Sequence, residues 1–192
     1  MRQYYYTVSS LPALKFEEEP AFSVEDFLEA CAVELTAEDY DYVTSATIRL
    51  EGDTASVPGV ATGDPAGTLG EWIRILREFQ QQAAVIRAQN LGWETDRLPR
   101  PDMRDASIPE RLRQILNEEN PLKREQGILR WLWSTAESLG IGHHFDRETL
   151  ALYHLKLQIA LRRVRISDSD AGNEEFERQY SQVAEPLMEI AT

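Results

Sequence analysis

The chain of 192 residues contains a single cysteine, Cys31, so an intrachain disulfide is excluded. It contains no apolar run approaching the ~20 residues that span a bilayer. No basic stretch followed by an apolar one opens it, which predicts that no secretory signal is present. Positive charge is scarce: 20 Lys and Arg stand against 33 Asp and Glu, a formal net charge of −13. That balance excludes broad nonspecific nucleic-acid binding as the main activity, because such binding relies on neutralising phosphates. There is no strong internal period of about 20–50 residues, so a solenoid is not indicated. There is no G-x-S-x-G elbow. Gly59, Gly63, Gly67 and Gly70 form neither a P-loop nor a dinucleotide fingerprint. With 42% apolar and 28% charged residues, the composition is that of an ordinary soluble chain, predicted to be a single domain over 1–192 in the cytoplasm.

What is abundant is helical periodicity. The stretch Tyr4-Tyr5-Tyr6-Thr7-Val8 is β-prone by residue type but does not alternate cleanly, and its structure stays open. A short helix is expected after Ser23, with Asp26 in its first turn and Phe27, Leu28 and Cys31 facing inward. A second is expected after Thr36. Glycines and prolines over 51–67 predict a loop. From Leu69 to Leu91 the residues Leu69, Trp72, Ile73, Leu76, Phe79, Ala83 and Ile86 keep a 3.6-residue period, with Arg74 and Glu78 pairing on the far face and Gly92 as a stop. Residues 93–106 read as a connector. Ser107-Ile-Pro-Glu110 has capping-box spacing, and Asn120-Pro121 opens a helix that Gly140 can end. Asp146 caps a long helix to about Ile166. It carries one apolar stripe of Leu150, Tyr153, Leu157, Ala160, Leu161 and Val164 and a second, nearly opposite, of Leu152, Leu155, Ile159 and Ile166. A helix apolar on two sides is packed on two sides, the inner helix of a bundle. Residues 167–173 read as a loop and Glu174 to about Ala184 as a last helix. The expected fold is all-α, an irregular bundle of seven or eight helices with little or no strand.

Few constellations carry chemistry. His143-His144-x-Asp146-x-Glu148 has imidazole and carboxylate, which suit zinc or manganese. Its residues straddle a loop and a helix start, however, and no HExxH spacing exists. Asp146 is better read as an N-cap, Glu148 as complementing the helix dipole, and the histidines as turn residues. Cys31 falls on an apolar helix face, where a buried structural thiol is the ordinary outcome. The expectation is a protein that is not an enzyme and holds neither metal nor cofactor. One feature departs from the acidic whole: Lys156, Arg162, Arg163 and Arg165 cluster in the second half of the inner helix. Lys156 and Arg163 share one strip between the apolar stripes; Arg162 and Arg165 lie on the other. Dipole complementation at a helix C-terminus accounts for such a cluster, and so does a docking patch for an acidic partner. Trp131 lies across its helix from the apolar stripe and is a candidate interface anchor.

Tyr4-Tyr5-Tyr6, Ser9-Ser10-Leu11-Pro12, Phe22-Ser23 and Phe27-Leu28 resemble the opening of an uncharacterised bacterial family usually encoded beside the subunits of a V/A-type ATPase. Glu119-Asn-Pro-Leu122, Leu129-Arg-Trp131, Phe145-Asp146 and Leu150-Ala-Leu-Tyr153-His-Leu-Lys-Leu-Gln-Ile159 resemble its later segments; residues 45–105 have no counterpart. Tyr153, Lys156, Ile159 and Arg162-Arg163 are also similar to the closing helix of the funnel-shaped C/d-type connector of V/A-type ATPases, except that Gln158 and Ile159 stand where that pattern has an acidic residue. The resemblance implies an all-helical, non-catalytic connector between the stalk and the membrane ring, in contact through Trp131, Lys156, Arg162, Arg163 and Arg165. It implies no membrane insertion of its own. The rival expectations are a free-standing helical adaptor and, behind it, a metal-dependent hydrolase using His143, His144 and Asp146.

Overall fold

The computed structural model describes residues 3–48, 67–95 and 107–167, the side chains of 107–109 excepted. The loop expected over 51–67 (Gly67 excepted), the connector beyond residue 95, the turn after Ser167 and the helix expected from Glu174 lie outside the described residues. Among the described residues the regular elements are all helices, with no strand. In order the elements are α1 (Tyr5–Ser10), α2 (Val24–Glu34), α3 (Ala37–Ser45), α4 (Thr68–Asn90), α5 (Ser107–Leu116), α6 (Pro121–Leu139) and α7 (Arg147–Ser167).

The boundaries follow local chemistry. Ser23 opens α2 with a capping box: its hydroxyl accepts from the Asp26 N–H at 3.0 Å, and the Asp26 carboxylate accepts from the Ser23 N–H at 3.1 Å. Thr36 caps α3 through the Asp39 N–H. The Asn120 side chain accepts from the N–H groups of Leu122 and Lys123, with Pro121 in the first turn of α6. Asp146 caps α7 by accepting from the Thr149 N–H at 2.9 Å. At the far end of α4, Gly92 takes φ +69°. Its N–H bonds the Gln89 carbonyl and that of Trp93 bonds the Ala88 carbonyl, a Schellman ending. Gly140 ends α6 with ordinary backbone angles, and the left-handed residue of that turn is Gly142.

Helix α7 is the inner helix, packed against α6, α3, α2 and α4. Leu150, Leu155, Leu157, Ile159 and Ala160 are fully buried and Leu152 is 5% exposed, so both stripes are core. Each fully buried aliphatic side chain contributes roughly 1.5–3 kcal/mol through removal of apolar surface from water. Phe27 from α2 stacks on Tyr153 and His154, with centroids 5.2 and 5.5 Å away. The open N-terminal stretch is the short helix α1. The Tyr4 N–H bonds the Phe145 carbonyl, and the Tyr5 ring lies 4.5 Å from that of Phe145, so the aromatic run packs on the α6–α7 turn instead of pairing as a strand. Residues 11–22 then cross the α6/α7 pair as a strap, pinned where the Tyr153 hydroxyl donates to the Pro12 carbonyl at 2.9 Å and where Phe16 meets Trp133 edge-on at 5.6 Å.

Candidate functional site

Three arrangements on α6 and α7 bear on function. The first is a polar network at the start of α7. Tyr4 donates to Asp39, and Arg147 donates to the same carboxylate at 3.1 Å while its guanidinium lies 4.5 Å above the Tyr42 ring. Tyr42 donates to Glu148, and its oxygen accepts from the Leu69 N–H at 3.1 Å. His143 bridges two helices: Nδ1 donates to Asp146 at 2.7 Å, and Nε2 lies 3.1 Å from the Thr68 hydroxyl. Burial raises the pKa of Asp146, but the hydrogen bonds from His143 and Thr149 outweigh it and hold the carboxyl below the usual range. Burial likewise raises Asp39, and its bonds from Tyr4, Arg147 and Thr36 outweigh that. Burial and the bond to Glu148 raise Tyr42.

This network refines two expectations. Glu148 lies in the first turn of α7, as the dipole reading requires, and it is also only 3% exposed and serves as the acceptor for Tyr42. Asp146 is the expected cap, but His143 is more than a turn residue, since it ties the α6–α7 turn to the start of α4. His144 is exposed and outside the network. No group of three or more His, Cys, Asp or Glu among the described residues could hold a metal ion. Cys31 is fully buried, and burial pushes its thiol up to about 11, far from a reactive thiolate.

The second arrangement is the face of α7 toward α3. The buried His154 donates from Nδ1 to the Val43 carbonyl at 2.9 Å, and burial holds its pKa below the ordinary value. One turn on, Gln158 donates to the Ala46 carbonyl at 2.9 Å and accepts from the Ile48 N–H at 3.4 Å. Trp72 donates to the Thr47 carbonyl between them. A carboxylate at 158 would accept from Ile48 but offer nothing to Ala46.

The third arrangement holds the five candidate contact residues, which the fold does not unite. Lys156 is half-buried with its ammonium 5.4 Å over the Trp133 ring, and it lines a cavity of about 340 Å³ between α6 and α7. Arg163 lies 5.8 Å over Phe16, which Arg130 approaches to 4.7 Å; the buried Nε of Arg163 has no hydrogen-bond partner. Lys156 and Arg163 are thus brought onto one aromatic seam, as their common strip predicted. Arg162 instead bonds Glu125 of α6 at 2.8 Å, and Arg165 is exposed. Trp131 stacks on Phe79 of α4 at 5.1 Å and lines a groove of about 310 Å³ between α5 and α6. Sequence reasoning missed Phe16 and Arg130, because no period links a strap residue to a helix face.

The two ends of the α6/α7 hairpin are therefore unlike. At the turn, charges are paired inside the fold. At the other end, the start of α6 and the last turn of α7 lie side by side, joined where Gln126 donates to Ser167 at 3.4 Å and Arg162 pairs with Glu125. These two bonds set the start of α6, which carries Lys123 and Arg124, beside the last turn of α7, which carries Arg165. Comparison of the chain with protein-family models, curated proteins and solved structures gives no match.

Proposed function

We propose that the chain is a non-catalytic helical connector or accessory subunit of a V/A-type rotary ATPase, docking an acidic partner through the open end of the α6/α7 hairpin. The observation that carries this reading is the pair Lys123 and Arg124. Cations in the last turn of α7 complement its dipole and need no further cause. Cations in the first turn of α6 oppose its dipole; the turn itself has no acidic residue, and Glu118, which accepts from the Asn120 N–H at 3.2 Å, stands just before it. A basic end assembled from two helices, one of them against its own dipole, in a chain of net charge −13 suits a partner of opposite charge. The all-helical fold and the resemblance at Glu119–Leu122, Leu129–Trp131, Phe145–Asp146 and Leu150–Ile159, segments lying in or beside α6 and α7, support a stalk or ring subunit as that partner.

The test is affinity recovery of tagged chain from its native cells, with wild type beside the double variant Lys123→Glu plus Arg165→Glu. Both side chains are exposed, so folding should survive. Wild type is expected to bring down ATPase subunits and to release them as salt rises, since exposed charges are screened over ~8–10 Å. The double variant should lose them. Recovery of an acidic protein unrelated to the ATPase would replace the connector by the adaptor, and full recovery by the variant would remove this end from the interface.

A further inference from the structure

The cavity between α6 and α7 lies apart from the hairpin's open end and has its own chemistry. Its volume of about 340 Å³ is within the range of small-molecule sites, and its walls are mixed in the manner of such sites. Ala136, Leu152 and Ile141 supply apolar surface, and Ile141 stands 82% exposed. Most of the polar groups in the lining are already committed. The Tyr153 hydroxyl donates to Pro12, the Thr149 hydroxyl donates to Asp146, and both nitrogens of His143 are engaged by Asp146 and Thr68. Lys156 is the exception. Its half-buried ammonium lies 5.4 Å over the face of Trp133 and makes no hydrogen bond or ion pair among the described residues; Glu137 attracts it from the same lining without closing on it. Burial is the main influence on this lysine and lowers its pKa, so the fold holds a charge at a cost.

An ammonium partly removed from water, with its back to an aromatic ring and its front to a cavity, can take an acceptor from a ligand seated in that cavity. The ligand that would supply it can be narrowed by charge. A cation meets Lys156 with the wrong sign. A dianion such as phosphate brings two charges to a single cation and is repelled by the Glu137 carboxylate about twice as strongly as a monoanion is. A neutral molecule leaves the ammonium as it was. We propose that this cavity is a binding site for a small amphipathic monocarboxylate, its acid group on Lys156 and its apolar chain against Leu152, Ala136 and Ile141. The site stands whether or not the chain is an ATPase connector.

The test is calorimetric titration of the full chain with hexanoate, and in parallel with hexanol and phosphate. Hexanoate should saturate one site per chain, with hexanol and phosphate at least about tenfold weaker. Lys156→Met should weaken hexanoate by at least about tenfold while leaving the protein as stable to heat or more so, because it removes an unpaired half-buried charge. Lys156→Arg should retain binding. Ile141→Ser, a change at an exposed position that cannot disturb the core, should weaken hexanoate by a smaller factor. Absence of saturable hexanoate binding would overturn the proposal. So would equal affinity for hexanol, or hexanoate affinity unchanged in Lys156→Met.

Discussion

Helix α7 has two polar faces that differ in how their groups are satisfied. Toward α3 and the start of α4, Arg147, Glu148, His154 and Gln158 all bond partners inside the fold, several of them more than a hundred residues away in sequence. Toward α6 and the strap, Lys156 and Arg163 lie over aromatic rings, and neither ammonium nor guanidinium Nε has a polar partner among the described residues. Groups of similar polarity on one helix thus serve different ends. The first face uses its hydrogen-bonding capacity to fix α3 against α7, and altering it should cost stability. The second keeps its capacity unused by the fold, and altering it should cost association.

The sharpest way to break this contrast is Gln158→Glu. The change deprives the Ala46 carbonyl of its donor and adds a carboxylate to a part-buried site. A loss of about 1–3 kcal/mol is expected in urea unfolding. A neutral result would show that Gln158 is not the clamp on residues 46–48. Next in size is Asp146→Ala, which removes the cap of α7 and the partner of His143; about 1–2 kcal/mol should be lost by the same measurement. Arg163→Gln, on the other face, should shift stability by no more than about 0.5 kcal/mol. A loss as large as that of Asp146→Ala would merge the two faces into one structural role.

Acid should expose the first face in steps. The folded state resists protonating His154, whereas the unfolded chain takes up that proton near its ordinary value of 6.5. Stability is therefore full above about 6.5 and falls as the pH drops below it. Asp39 and Asp146 are held below the ordinary 3.8, so what they contribute is present above that value and is lost as the pH falls through their lower folded values. A stability profile measured from pH 8 to 3 should show both declines, and His154→Gln should flatten only the upper one.

The helices themselves were legible in the sequence, because periodicity and capping are local. Ser23, Thr36, Asn120 and Asp146 each sit where the chemistry of a helix start requires them, and the two stripes of α7 predicted its inner place. Phe22-Ser-Val-Glu-Asp and Phe145-Asp-Arg-Glu look alike in sequence because each opens a helix, through the capping bonds of Ser23 and Asp146. The site was less legible, because its partners are remote. Placing Lys156 and Arg163 on one strip needed only the helical angle; finding Phe16 beneath Arg163 needed the path of the strap. The place of Glu148 in the first turn was readable from the sequence, and its second role became visible only with the approach of Tyr42 from α3. The aromatic run at Tyr4–Tyr6 carried strand-forming residue types, and tertiary contact with Phe145 decided in favour of a helical turn.

The central place of α7 also sets an order of events during synthesis. Helices α2 and α3 bury apolar surface on α7, and Tyr4 and Tyr5 at the start of α1 pack on the turn that precedes it, yet α7 begins about a hundred residues after α3 ends. At about 5–20 residues per second, a ribosome needs roughly 5–20 s to cover that interval. Throughout it Phe27, Val43 and Tyr4 lack the surface that will cover them. The early helices therefore wait as exposed apolar segments, within reach of chaperones, until the helix that completes their core emerges.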